Sequence, residues 1–403
     1  MVSVPKPPAH KWEFQARFRR GAFGWRGTAL AKKRIDEALA EIRKAARTDP
    51  ALAAQGAVVL LSRLSPALEN IDSSSGAIGG AVNRAIEKLV PIIAAAPVDE
   101  PTRSAWLERL WEAQNDDGMA YIDALGDFWG ELCVTPAVAA AWVDRLLPIV
   151  QRSFRERGSY FSGTTACLGV LLKAERYGEL LDLLETAPFV WWTYRQWGFR
   201  ALVAQGKRAD ALRYAEASRS PTEDANVAIA RACEGLLLQS GMAEEAYRRY
   251  AIAARLSEST YIATFRSLAK RYPTKEPSTL LADLVAATPG DAGKWFAAAK
   301  SAGLFEQAIA LANTGPTDPK TLTRAARDHI GEHPEFALEA SLCALYWFGQ
   351  GYGFDVTSLD IADAYGHGLR AAESLGRTDE FRSRAQAIVG TGDSFVRNAL
   401  RLV

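Results

Sequence analysis

The chain contains "HIGEH" at residues 329–333. In this H-x-x-E-H spacing two imidazoles one helical turn apart bind zinc and the glutamate activates a water. A zinc-dependent hydrolase built on His329, Glu332 and His333 requires that segment to be one continuous helix. Gly331 in its middle and Pro334 directly after it are helix-ending residues, so the sequence favours a turn here over a metal centre.

Other candidates for chemistry carry less. "DSSSGAIGG" from Asp72 to Gly80 precedes a helical pattern and offers free amide groups to an anion, but capping by Asp72 or a serine uses the same groups. No Lys-Ser or Lys-Thr follows it, and "GKW" at Gly293 lacks the hydroxyl of a phosphate loop. "GQGYGF", Gly349 to Phe354, follows a helix-like run with no strand before it, so it reads as a partner-contacting loop and not as a dinucleotide fingerprint. His10, His329, His333 and His367 are the only histidines, and spacing pairs none of them with a Ser or Cys nucleophile. The sequence implies no cofactor and no metal.

"KWEFQARFRRGAFGWRG", residues 11–27, interleaves Trp12, Phe14, Phe18, Phe23 and Trp25 with Lys11, Arg17, Arg19, Arg20 and Arg26. Basic side chains release counterions from phosphates and rings stack on bases, which makes nucleic acid a possible partner. The favoured reading is that the rings dock on the first helices and leave the charges in water. Residues 1–47 hold twelve Lys or Arg against four Asp or Glu in a chain of net charge +1. A basic arm therefore precedes an acidic body.

Cys133, Cys167, Cys233 and Cys343 are far apart, with no redox or metal spacing. No leader-like segment follows the first Met and no apolar run reaches about 18 residues, so the expectation is a cytoplasmic protein with no membrane partner.

The elements that would hold these residues are helical throughout. Ala, Leu, Arg and Glu recur at i, i+3 and i+4, while Val, Ile and Thr alternation is missing. Leu30, Ile35, Ala38, Leu39 and Ile42 form one stripe over 30–47. Helices are expected next at 51–68, 78–95, 102–115, 119–132 and 136–156. Further on, "GKRADAL" from Gly206, "GMAEEAY" from Gly241 and "GLFEQAI" from Gly303 repeat one pattern: Gly, four residues, Ala, then an apolar residue. Weaker copies begin at Ala174, Tyr272, Gly331 and Gly376. A turn Gly closing one helix at positive φ, followed by an Ala where two helices cross, describes a helical hairpin. One hairpin cannot bury its own apolar face, so neighbours must stack.

On these positions residues 160–390 resemble the tetratricopeptide repeat, with Gly206 and Ala211, Gly241 and Ala246, and Gly303 and Ala308 matching its turn Gly and second-helix Ala. Phe199, Glu234 and Phe296 stand where that family has a first-helix Gly. "IDSSSGAIGGAVNRAIEKLVPII" and "YIDALGDFWGELC" also resemble a group of uncharacterised bacterial proteins. The resemblance implies an all-α, right-handed solenoid of stacked hairpins with an irregular N-terminal half. The parts would be an arm at 1–29, irregular helical hairpins at 30–157 and repeats at 158–403.

Such arrays act as non-catalytic scaffolds that bind a protein or peptide on the first helices. Counting back from the turn glycines puts Gln196, Arg200, Arg231, Gln239 and Lys300 on that face. Three basic residues there suggest a partner with an acidic segment. The same count, with Gly206 fixing a helix over 191–204, puts most of Trp191, Trp192, Tyr194, Trp197 and Phe199 in the core.

Overall fold

The stripe at 30–47 becomes the buried face of α1 (Thr28–Ala46), with Ile35, Ala38, Leu39 and Ile42 inside. Leu30 is the exception: it is exposed, and Ala31 takes the buried place. The computed structural model describes residues 10–156, 161–219, 223–256, 258–390, 392 and 394–400. Among them all regular structure is helical.

Two units are distinguished, Met1–Pro221 and Thr222–Val403. In unit 1, α1 is followed by α2 (Pro50–Leu68), α3 (Ala77–Ala94) and α4 (Glu100–Asn115). Asp49 and Asp99 start α2 and α4 by accepting the Leu52 and Thr102 amides at 2.9 and 3.0 Å, each with a proline in the first turn. Among the described residues α2 is the one helix long and apolar enough to cross a bilayer by composition. Most of its side chains are instead buried in the core of unit 1.

No continuous α-helix forms over 119–132. Asp117 accepts the Ile122 amide at 2.6 Å and Ala120 takes φ 54°. The chain then passes through a 3-10 turn, Asp123–Phe128, into the short α5 (Trp129–Cys133). After α6 (Pro136–Arg155) come two hairpins, α7 (Thr164–Lys173) with α8 (Tyr177–Glu185), and α9 (Trp192–Ala204) with α10 (Arg208–Ala217). The first helices pack side by side, α5 on α7 and α7 on α9.

Unit 2 continues with α11 (Glu223–Gln239) and α12 (Ala243–Ala246), which runs on as a π turn at Tyr247–Ala251. The pairs α13 (Tyr261–Arg271) and α14 (Pro277–Ala287), α15 (Phe296–Ser301) and α16 (Phe305–Thr314), and α17 (Pro319–His329) and α18 (Pro334–Gly349) follow. The last helices are α19 (Ser358–Leu375), α20 (Thr378–Gly390) and α21 (Ser394–Leu400). Helix α18 packs on α16, α17, α19 and α20.

The repeated turn is built as its sequence requires. Gly206, Gly241 and Gly303 have φ of 75°, 74° and 74°. The next amide in each case, Lys207, Met242 or Leu304, reaches back to the carbonyl of Leu202, Leu237 or Ala299 at 2.9, 2.9 and 3.0 Å, closing the helix end. Ala211, Ala246 and Ala308 are wholly inaccessible to solvent. The earlier copy forms the same turn without glycine, with Glu175 at φ 60° and Arg176 bonded to Leu171. The change of pattern near 157/158 lies outside the described residues, as do residues 1–9 of the arm.

Candidate partner-binding surface

Gln196 and Arg200 stand one turn apart on α9. The Arg200 guanidinium lies 4.6 Å from the centroid of the buried Trp197 ring, and its Nη2 donates to Gln196 Oε1 at 3.1 Å. Gln196 is itself fixed by donating to the Thr193 carbonyl at 3.1 Å. Arg200 is thus held over an aromatic ring while staying exposed to solvent.

The neighbouring helices complete a pocket. A methyl group added to Gly130 of α5 would run into the Gly169 carbonyl of α7, so the two backbones are in direct contact there. Gly169 in turn faces the Trp197 ring. Beside this contact lies an open pocket of about 360 Å³, lined among others by Asp127, Glu131, Lys173, Glu175, Trp197 and Arg200. Burial raises the pKa of the Asp127 carboxyl, against the opposing pull of Thr165 and Arg200. Burial likewise lowers that of Arg200, against the pull of Asp127 and Glu131. The site is a small bipolar cleft with an aromatic wall and is not uniformly positive.

The other three residues on the expected face belong to unit 2. Arg231 on α11 donates through Nε to the Ala254 carbonyl at 2.8 Å and lies 3.9 Å from Glu258, bracing the turn that follows the π segment. Gln239 is exposed at the last position of α11. Lys300 is half-buried on α15 and helps lower the pKa of Asp328 on α17. The structure therefore brings Gln196 and Arg200 together and gives Arg231 a local bracing role.

The arm docks through four of its five rings. Trp12, Phe14, Phe18 and Phe23 are buried, and Trp12 lies flat in the space left by the absent side chain of Gly56 on α2. Trp25 stays out, 67% exposed. Arg17 pairs with Glu37 at 2.7 Å and Arg20 with Glu69 at 3.6 Å. Lys11, Arg19 and Arg26 are exposed. In the serine loop Asp72 accepts the Ser74 amide at 3.0 Å and Ser75 the Ala77 amide at 3.4 Å, so its side chains cap its own backbone.

The "HIGEH" segment is a hairpin turn. His329 ends α17 and His333 precedes α18, with the His333 amide bonded to the His329 carbonyl at 2.9 Å. His329 Nδ1 donates to the Ala325 carbonyl at 2.9 Å, and both imidazoles pack on Phe305. Among the described residues no three His, Cys, Asp or Glu side chains are grouped to hold a metal ion. All four cysteines are buried thiols. Burial pushes those of Cys133, Cys167 and Cys343 up to about 12, far from a nucleophilic thiolate.

Two features are not evident from residue spacing alone. Tyr194, Trp197 and Phe199 are buried as expected, but Trp191 is half-exposed and stacks on exposed Phe189, with centroids 4.5 Å apart and planes 6° from parallel. Helix α9 starts at Trp192, one residue after the expected 191, and Trp191 is its N-cap in extended backbone, so its ring is not on the buried helical face. The glycine that lets α9 approach its partner is Gly198, covered by the Tyr214 ring, and the neighbouring Phe199 is ordinary core. No family model and no curated protein matches the chain.

Proposed function

We propose that the chain is a non-catalytic interaction scaffold, a tetratricopeptide-like solenoid whose first helices bind a protein or peptide partner. The cleft of α5, α7 and α9 carries this reading. Exposed Arg200 and half-buried Asp127 face the same open pocket beside Trp197, so charges of both signs are presented to a ligand. A bound peptide with its own charged and hydrogen-bonding groups can pair with both signs at once. The high thiol pKa values and the packing of both turn histidines on Phe305 support a role without catalysis.

Affinity purification of the full chain with mass spectrometry identifies the partner, and its binding is then measured against Arg200→Ala with Lys173→Ala. A loss of about tenfold or more is the expected result. Unchanged affinity would remove the cleft from the account.

A second reading, nucleic-acid binding by the arm, keeps one observation in its favour: exposed Trp25 next to exposed Arg26, with Arg19 and Lys11 also in solvent. Salt-dependent retention on DNA or RNA, lost on Trp25→Ala with Arg26→Ala, would establish it.

A further inference from the structure

A groove of about 860 Å³ opens in unit 2 between the starts of α16 and α18. Its floor is aromatic: the Phe305 ring centroid lies 4.3 Å from that of His333 and 4.7 Å from that of Phe336. Its rim is acidic, with Glu306, Glu332, Glu335 and Glu339 facing in and no Lys or Arg among the lining residues.

These carboxylates are not equally compensated. Arg384 grips Glu339 with both nitrogens at 2.5 and 2.7 Å, and Arg377 lies 3.6 Å from Glu335. Glu306 and Glu332 are exposed, with no ion pair among the described residues. Glu306 and Glu335 sit in the first turns of their helices, where the helix dipole favours an anion and the fold tolerates them. Glu332 precedes α18 and has no such support.

An anionic ligand is repelled by this rim, and a neutral apolar segment would cover carboxylates without pairing them. A guanidinium or ammonium group on a flexible aliphatic stem satisfies both surfaces. Its charge pairs with Glu306 and Glu332 while its plane or stem lies on Phe305 and His333. We propose that this groove receives an arginine- or lysine-bearing segment of a protein partner. The inference rests on the scaffold reading and adds a second, acidic contact to it.

The test is fluorescence anisotropy of the full chain with a labelled hexa-arginine peptide, in parallel with hexa-glutamate and an uncharged apolar peptide. Binding is expected for the first alone, weakening as salt rises. Glu306→Gln with Glu332→Gln is expected to lower affinity about tenfold, with the fold unchanged by circular dichroism since neither side chain is buried. The control Glu373→Gln with Asp379→Asn removes the same charge elsewhere on unit 2 and is expected to change affinity by less than about twofold. Equal loss in the control would overturn the proposal, because the peptide would then be sensing net charge. Equal binding of hexa-glutamate or the apolar peptide, or a groove-dependent dimer in sedimentation, would overturn it as well. The measurement needs no native partner, so its failure leaves the cleft of α5, α7 and α9 to stand or fall on its own test.

Discussion

Arg255 donates through Nη1 to Glu234 Oε1 at 2.7 Å with both side chains buried, and Tyr272 gives its hydroxyl to the same oxygen at 2.6 Å. Glu234 occupies a position where the resembled family has glycine. Its carboxylate joins α11 to the end of α13, and Arg255 extends the link to the Ala251 carbonyl in the π turn. Burial and the bond to Glu234 push the Tyr272 hydroxyl pKa well above its ordinary value.

Removing one partner from such a pair leaves a buried charge unmatched. Arg255→Ala is expected to cost about 3–5 kcal/mol, and Glu234→Leu with Arg255→Met far less, because the pair leaves together. Hydrogen exchange of the α11 and α13 amides measures both. Equal protection in Arg255→Ala and the wild type would show that the network does not hold these helices.

The arm is expected to depend on its rings and not on its charges. Trp12→Ala should lower the stability of unit 1 by about 3–5 kcal/mol. Gly56→Leu, which fills the Trp12 space, should be strongly destabilising too. Trp25→Ala should stay within about 0.5 kcal/mol, and Arg17→Ala or Arg20→Ala below about 1 kcal/mol each. Denaturant unfolding with tryptophan fluorescence separates these cases, and a neutral Trp12→Ala would contradict the docking.

Much of this organisation was legible in the residues. Gly206, Gly241 and Gly303 could be read because a positive φ favours glycine there, and Ala211, Ala246 and Ala308 because a close helix crossing favours a small side chain. The segment at 119–132 was misread because a side-chain cap, Asp117 on Ile122, overrides its helical spacing. The cleft was half legible: Gln196 and Arg200 follow from the turn, whereas Asp127, Glu131 and Lys173 arrive from helices whose approach depends on the Gly130–Gly169 contact. The acidic groove was hidden because it needs two turns in register, although Glu306 and Glu335 follow Gly303 and Gly331 at nearly the same offset.

The buried thiols imply an alkaline limit. A thiol whose folded pKa is raised lends stability that is fully present below its unfolded value of 9.0 and is lost as pH rises through about 12. Stability should therefore fall over that window. At pH 8 the native chain should resist iodoacetamide at Cys133, Cys167 and Cys343 and react on unfolding, as mass spectrometry would show. Rapid native labelling would refute their burial.

Purified protein is expected to carry no stoichiometric zinc, and His329→Ala or His333→Ala should leave its metal content unchanged by atomic emission. Bound zinc lost in either variant would move the hydrolase reading to the front.

Partner binding across α5, α7 and α9 of unit 1 is tested by site-specific photo-crosslinking. A photoreactive amino acid placed at Lys173, beside the cleft, is compared with one at Arg213 on α10, outside its lining. Partner adducts are expected from position 173, diminished by Arg200→Ala, and none from position 213. Adducts from 213 with none from 173 would contradict it.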